Sequence, residues 1–326
     1  MSQEPVRFRI VSAEEGVTLR QLLPRRFDGM TRAQAGELVK AGGVYLNNVR
    51  VRVPSVRVCE GERVTVYREA LSVRSLDPEE LSILARGPDF VVVDKPRGVP
   101  VVATRASARG TVSQALVHLL AQEGVLRPYV GVVHGLERAA SGVVLCTLRG
   151  QDTRSVHARF KSAACRRTFR VLVEGDAPAS LESDRAVIVT PTGAVRLVAE
   201  GSPVTPVLFR RLEVITPGDL AASLMEVTLE RGPSEQIRLL ADALGYPVVE
   251  LPYESARASA RASARDDARR GPYRGSRSVG VARALAVHAS ALEFTHPITG
   301  ELIRASAPEP AWAKPSEGAA RGIERR

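Results

Sequence analysis

The sequence predicts an α+β protein: a small α/β module over residues 6–67, then a larger domain over 89–310 built on an extended, mostly antiparallel sheet. Three observations carry this. Residues 6–67 hold two short helical patterns followed by a hairpin signal. From Phe90 onward, short β-branched runs succeed one another between Gly, Pro and polar turns, with few helices among them. Between the two parts, residues 68–88 are charged, contain Pro78 and read as a linker.

In the first module, Thr18-Leu19-Arg20-Gln21-Leu22-Leu23 has helical spacing, and Thr31 supplies an N-cap for a second helix through Lys40. Gly42-Gly43 ends that helix. Val44-Tyr45-Leu46 and Val49-Arg50-Val51 flank Asn47-Asn48 and read as a hairpin, and Arg63–Tyr67 is a last strand. Arg32, Lys40, Arg50 and Arg52 fall on the second helix and the hairpin with little apolar company.

In the larger domain, Val91-Val92-Val93 runs as a strand into Asp94-Lys95-Pro96-Arg97-Gly98. Thr111–Glu123 is a helix with Ala115, Leu116, Leu119 and Leu120 on one face. Strands follow at 143–148, 168–174, 186–190, 194–198 and 224–229, and Gln236–Leu244 is a short helix. Residues 254–278 carry seven arginines among Ser, Ala and Gly and read as a surface insertion. There Arg257, Arg261, Arg265 and Arg269 recur every four residues, the spacing of one helical face that would suit a polyanion. Residues 311–326 read as a disordered tail.

Composition narrows the function. Hydrophobic residues make up 44% of the 326, enough for a buried core, and no run of 18 uncharged apolar residues predicts a membrane span. The amino terminus lacks the apolar stretch of a signal peptide. Cys59, Cys146 and Cys165 have no metal-ligand spacing and predict free thiols in a reducing cytoplasm. The net charge of +10 favours a polyanionic partner, of which nucleic acid is the usual one.

The run at 134–145, His-Gly-Leu-Glu-Arg-Ala-Ala-Ser-Gly-Val-Val-Leu, concentrates the chemistry. Glu137 adjoins Arg138 on a small-residue turn that leads into an apolar strand. Small residues admit a substrate to the backbone, and the strand gives the acid a rigid support. An exposed ion pair on a turn is the alternative reading of these residues alone. His134 and Glu137 have no third ligand at useful spacing, so no metal site is predicted.

Five blocks, in order, resemble the pseudouridine synthases that modify uridines of large-subunit ribosomal RNA. They are VVVDKPRGVPV, HGLERAASGVVL, RRTFRVLVEG, LMEVTLERGPSEQIRLLADALGYPVV and VHASALEFTHPITGELIRASAPEP. The first sixty residues are similar to the small alpha-L RNA-binding module that often precedes this synthase domain. The resemblance implies isomerisation of uridine in ribosomal or transfer RNA, with no cofactor and no metal; the chain is expected to act as a monomer. It implies that Glu137 is the catalytic acid, Arg238 its active-site arginine and Phe169 the ring beside the base. Arg32, Lys40, Arg50 and Arg52 are candidate RNA contacts of that module, and Arg138 and Gln236 of the synthase domain; the spacing of Arg257, Arg261 and Arg265, and not the resemblance, makes them a candidate phosphate clamp.

The departures from the family pattern cluster at the centre. Glu137 stands where the family has aspartate, Gly135 where it has arginine, Ala140 where it has threonine, and Phe169 where it has tyrosine. Pro233-Ser234-Glu235 replaces arginine-threonine-histidine, while Asp94-Lys95-Pro96, Ser141-Gly142 and Gln236-Ile237-Arg238 are retained. Two readings stay open: a synthase working through glutamate, or an RNA-binding protein on a synthase scaffold that has lost its catalysis.

Overall fold

The computed structural model describes residues 4–71, 73, 76–161, 165–190, 195–198, 206–215, 221–252 and 283–313. Arg257, Arg261 and Arg265, with the rest of the 254–278 insertion, lie outside the described residues. The chain divides into two compact units, Met1–Glu80 with Val102–Gln122, and Leu81–Val101 with Glu123–Arg326.

The first unit contains β1 (Val6–Arg9), α1 (Leu19–Arg26), α2 (Arg32–Lys40), β2 (Val44–Leu46), β3 (Val49–Val51), β4 (Arg63–Val66) and α3 (Val112–Gln122). Its sheet runs β1-β4-β2-β3, all antiparallel. Leu19, Leu22, Leu23, Leu38, Val39, Val44, Val64 and Val66 form its core. The predicted cap is made: Thr31 Oγ1 accepts from the Gln34 N–H at 3.2 Å, and Gln34 Oε1 accepts from the Thr31 N–H at 2.8 Å. Asn47 and Asn48 both take positive φ, 48° and 70°, which gives the two-residue hairpin turn its twist.

Residues 102–122 belong to this unit because its polar groups hold them. Ala108 N–H donates to Ala41 O at 2.8 Å, Tyr45 Oη donates to Arg105 O at 2.9 Å, and Arg109 pairs with Glu37 at 3.1 Å. The Arg50 guanidinium joins them, bonding Tyr45 Oη at 3.0 Å, Arg105 O at 3.2 Å and also Thr104 O. Expected on the RNA surface, Arg50 instead fastens this segment to the hairpin.

The second unit holds β5 (Ser82–Arg86), β6 (Phe90–Lys95), β7 (Gly131–Val132), β8 (Ser141–Thr147), α4 (Gly150–Lys161), β9 (Cys165–Glu174), β10 (Ser180–Ser183), β11 (Val187–Val189), β12 (Val195–Leu197), β13 (Val207–Ile215), β14 (Ala222–Leu229), α5 (Glu235–Ala243), β15 (Glu250–Pro252), β16 (Arg283–Leu285), β17 (Val287–Thr295) and β18 (Leu302–Ser306). Its main sheet has ten strands, in the order β10-β13-β14-β9-β17-β8-β6-β5, with β18 on β17 and β7 on β8. Two corrections follow. Ser82–Arg86, assigned to the linker, is a strand paired with β6. Ala311–Ala313, assigned to the tail, form a helical turn, with Ala313 buried and Trp312 packed beside Leu172 and Leu224.

Every pairing in the main sheet is antiparallel except that of β17 with β8, which is parallel and two residues long, His288 with Ser141 and Ala289 with Gly142. At this seam Gly142 has φ +110°, and a Cβ there would lie 2.1 Å from Ala289 O, so only glycine fits. The loop carrying Glu137 enters the sheet at this seam. Among the described residues no helix is long and apolar enough to cross a membrane.

Candidate active site

The loop between β7 and β8 is tied down at both ends. At its start, Leu145 N–H donates to His134 Nε2 at 3.1 Å, which leaves the ring proton on Nδ1, 3.3 Å from Gly135 O. Desolvation, with the Arg167 charge nearby, pulls the His134 pKa down to about 3, so this ring is a neutral brace. At its end, Ser141 Oγ and His288 Nδ1 share a hydrogen bond of 2.9 Å across the seam. Burial pulls His288 down to about 4, so it too is neutral.

A second loop, 96–100, is fastened to the first. Lys95 is fully buried and, among the described residues, has no carboxylate partner within hydrogen-bonding reach; its Nζ donates to Pro96 O at 3.0 Å, Val99 O at 2.8 Å and Ala140 O at 2.5 Å. Desolvation draws its pKa down to about 7, with the Asp94 charge opposing. Arg138 completes the join: Gly98 N–H donates to Arg138 O at 2.7 Å, and Arg138 Nε donates to Gly98 O at 2.9 Å. Arg138, expected as an RNA contact, therefore spends one guanidinium hydrogen inside the site.

Between these anchors the Glu137 side chain is 20% exposed, and its Oε1 lies 3.5 Å from Nε of Arg238, whose side chain is 43% exposed. The sequence paired these two residues, and the fold brings them together, Arg238 projecting from the first turn of α5. Burial opposes the expected effect of Arg238, which favours the charged form of Glu137. Burial raises the Glu137 pKa above the usual carboxylate value, and the nearby Glu235 charge adds to this. Arg238 and Lys95 pull the other way without offsetting it. A long, half-exposed pair of this kind contributes little against desolvation.

Other expectations change as well. Phe169 is 2% exposed, inside the sheet between Val227 and Ala289, and offers no open ring face. Gln236 is buried, and its Nε2 donates to Arg231 O at 2.8 Å, bracing the turn before α5 rather than facing solvent. Lys40 pairs with Glu37 at 3.2 Å, whereas Arg32 and Arg52 stand exposed on the first unit. Sequence reasoning did not find the roles of Lys95, Ser141 or Arg167. Arg167 is buried and donates to Gly232 O at 2.8 Å, linking β9 to the turn that starts α5. Its signal was the alternation Cys165, Arg167, Phe169, Val171 along one face of β9. Among the described residues no group of three or more His, Cys, Asp or Glu is placed to hold a metal.

Comparison with known proteins agrees with this architecture. Residues 89–243 match the family model for RNA pseudouridylate synthase, and residues 29–64 match the S4 domain. An RNA pseudouridine synthase of Aquifex aeolicus is 28% identical over 261 residues, covering 76% of this chain and 78% of that protein. Ribosomal large subunit pseudouridine synthase C of Escherichia coli K12 is 26% identical over 321 residues, covering 92% and 91%. The structure of human RNA pseudouridylate synthase domain containing 1 superposes with a TM-score of 0.50 at 19% identity, covering 78% of this chain and 98% of that one, and shares the fold. With an S4 match ahead of it, and relatives that align along most of the chain, the region 89–243 belongs to the RNA pseudouridylate synthase family.

Proposed function

We propose that the protein isomerises uridine to pseudouridine in ribosomal or transfer RNA, with Glu137 as the catalytic carboxylate. The observation that carries this reading is the placement of Glu137 against Arg238, on a loop anchored at both ends. In the reaction the C1′–N1 bond of the nucleotide breaks, the base turns, and C1′ bonds to C5. N1 gains a proton and C5 loses one, so no atom or electron is exchanged with a cofactor. Ionised Glu137 acts under the ribose, as nucleophile at C1′ or as the base for a sugar proton, on a base flipped from its stack. The S4 domain holds the RNA, and the three free thiols suit a reducing cytoplasm.

A glutamate reaches ~1.5 Å further than an aspartate, and a misplacement of ~1 Å costs on the order of 100-fold in rate. Gly135 has open space where a Cβ would stand, so the loop has room for the longer acid. A second reading, RNA binding without turnover in ribosome assembly or RNA folding, is favoured by the closed Phe169 ring and the raised Glu137 pKa.

Mapping pseudouridine in ribosomal and transfer RNA from cells with and without the gene decides between them. Synthase activity predicts a site missing from the deletion strain, restored by the wild-type gene and not by Glu137→Ala. An unchanged map, with RNA binding intact, establishes the second reading.

A further inference from the structure

A cavity of about 510 Å³ opens beside the N-terminal turn of α5. One wall is apolar, made by Val187 and Val189 of β11, Val207 and Leu208 of β13, and Pro233. Val189 is 58% exposed and Leu208 48%, although both are β-branched or large aliphatic residues on strands. Arg185 and Arg231 stand at its rim, both exposed, and among the described residues neither guanidinium has a hydrogen-bond or ion-pair partner. Glu230 is the acidic residue of the lining, which leaves the cavity positive.

The cavity and the candidate active site draw on the same first turn of α5. The cavity's floor residue Gln236 precedes Arg238 by two positions on α5, and its Gly232 carbonyl receives the bond from Arg167. β12, the partner of β11, packs against α5.

We propose that this cavity receives a second, unpaired nucleotide of the RNA whose uridine is presented to Glu137. Its base lies against the Val189 and Leu208 wall, and its phosphate is held by Arg185 and Arg231. The volume falls within the 300–1,000 Å³ range of small-ligand pockets, a size that takes one nucleotide. A base-flipping site works on locally unstacked RNA, so a neighbouring base also needs a surface to replace its lost stacking. An apolar wall beside unneutralised guanidiniums offers what one nucleotide presents, a flat face and a phosphate. The proposal rests on RNA as the partner and not on turnover at Glu137.

The test uses the full chain with five-nucleotide single-stranded RNAs carrying a central uridine, and 4-thiouridine placed at each other position in turn. After irradiation, cross-links from one of those positions are expected within 185–189, 206–208 or 228–233. By fluorescence anisotropy, Arg185→Ala with Arg231→Ala is expected to weaken binding about 10-fold and to reduce the salt slope by roughly 0.7 for the phosphate released. Val189→Asp is expected to weaken it about 10-fold without changing the slope. All three side chains are exposed, and unchanged circular dichroism shows that the variants remain folded. Cross-links confined to other segments, or affinities within twofold of wild type in both variants, overturn the proposal. Glu137→Ala is run alongside: its cross-links stay as in wild type whether or not the protein turns uridine over, so the cavity and the catalysis fail separately.

Discussion

Lys95, at the end of β6, places its ammonium 2.5 Å from the carbonyl of Ala140, the residue that closes the loop carrying Glu137. The same nitrogen holds Val99 O at 2.8 Å, so one buried cation fixes two loops whose sequences lie some forty residues apart. A lysine suits this task because its three hydrogens are satisfied by backbone carbonyls, which cannot be replaced by mutation.

Lys95→Met should therefore separate placement from binding. Unsatisfied carbonyls cost about 1–3 kcal/mol each, and the loop loses its register with 96–100. Turnover on RNA is expected to fall by about 100-fold or more, with RNA affinity within about threefold of wild type. Single-turnover assays beside equilibrium binding check this; equal losses in both would show that the clamp merely supports the fold.

The pH profile should report Glu137. Its pKa lies above the usual carboxylate value because burial disfavours the charge and Glu235 repels it. Activity needs the ionised form, so it rises with pH through that raised value. Glu235→Gln removes the repulsion and should move the acidic limb to lower pH. A limb that stays in place would mean that another group controls ionisation.

The same group has a predictable effect on stability. Its folded pKa is raised, so between the unfolded value of 4.5 and the folded one the native state holds the extra proton. Stability is therefore lost as pH rises through that window, and the deficit is complete above it. Glu137→Gln should raise Tm at pH 7, and the gain should vanish below about pH 4, near the bottom of the ordinary carboxylate range. Thermal melts of both proteins across pH 4–8 measure it.

Gly142→Ala should disrupt the seam. The new Cβ would stand 2.1 Å from Ala289 O at φ +110°. The cost is expected at about 3 kcal/mol or more, a fall of roughly 6–12 °C in Tm for a domain of this size. A melt within 2 °C of wild type would contradict the close approach of β8 and β17.

The S4 domain's arginines should divide by role. Arg32→Ala and Arg52→Ala are expected to weaken RNA binding a few-fold each and lower the salt slope by about 0.7–0.9, with no change in Tm. Arg50→Ala should instead lower Tm, because Tyr45 Oη and Arg105 O lose their shared partner.

Much of this protein was legible locally. Thr31 with Gln34 announced the cap, Asn47-Asn48 the turn, and the β-branched runs the sheet, because each depends on neighbours within a few residues. Glu137 and Arg238 were legible too, through the blocks that surround them. The burial of Phe169 and Gln236 and the bonding of Arg50 were not legible, because residue type gives polarity and size but not solvent access. Phe169 closes inside the sheet through strands β14 and β17, both more than fifty residues further along the chain.

By itself, then, the sequence determined the α+β class, the synthase resemblance and the pairing of Glu137 with Arg238. Only the tertiary structure decided that acid's state. Its ionisation depends on burial, on Arg238 and Glu235 from α5, and on Lys95 from β6, and these distances exist only once the chain has folded. Electrostatic energy and desolvation are functions of position in space, and the linear spacing of 137, 235 and 238 does not encode them.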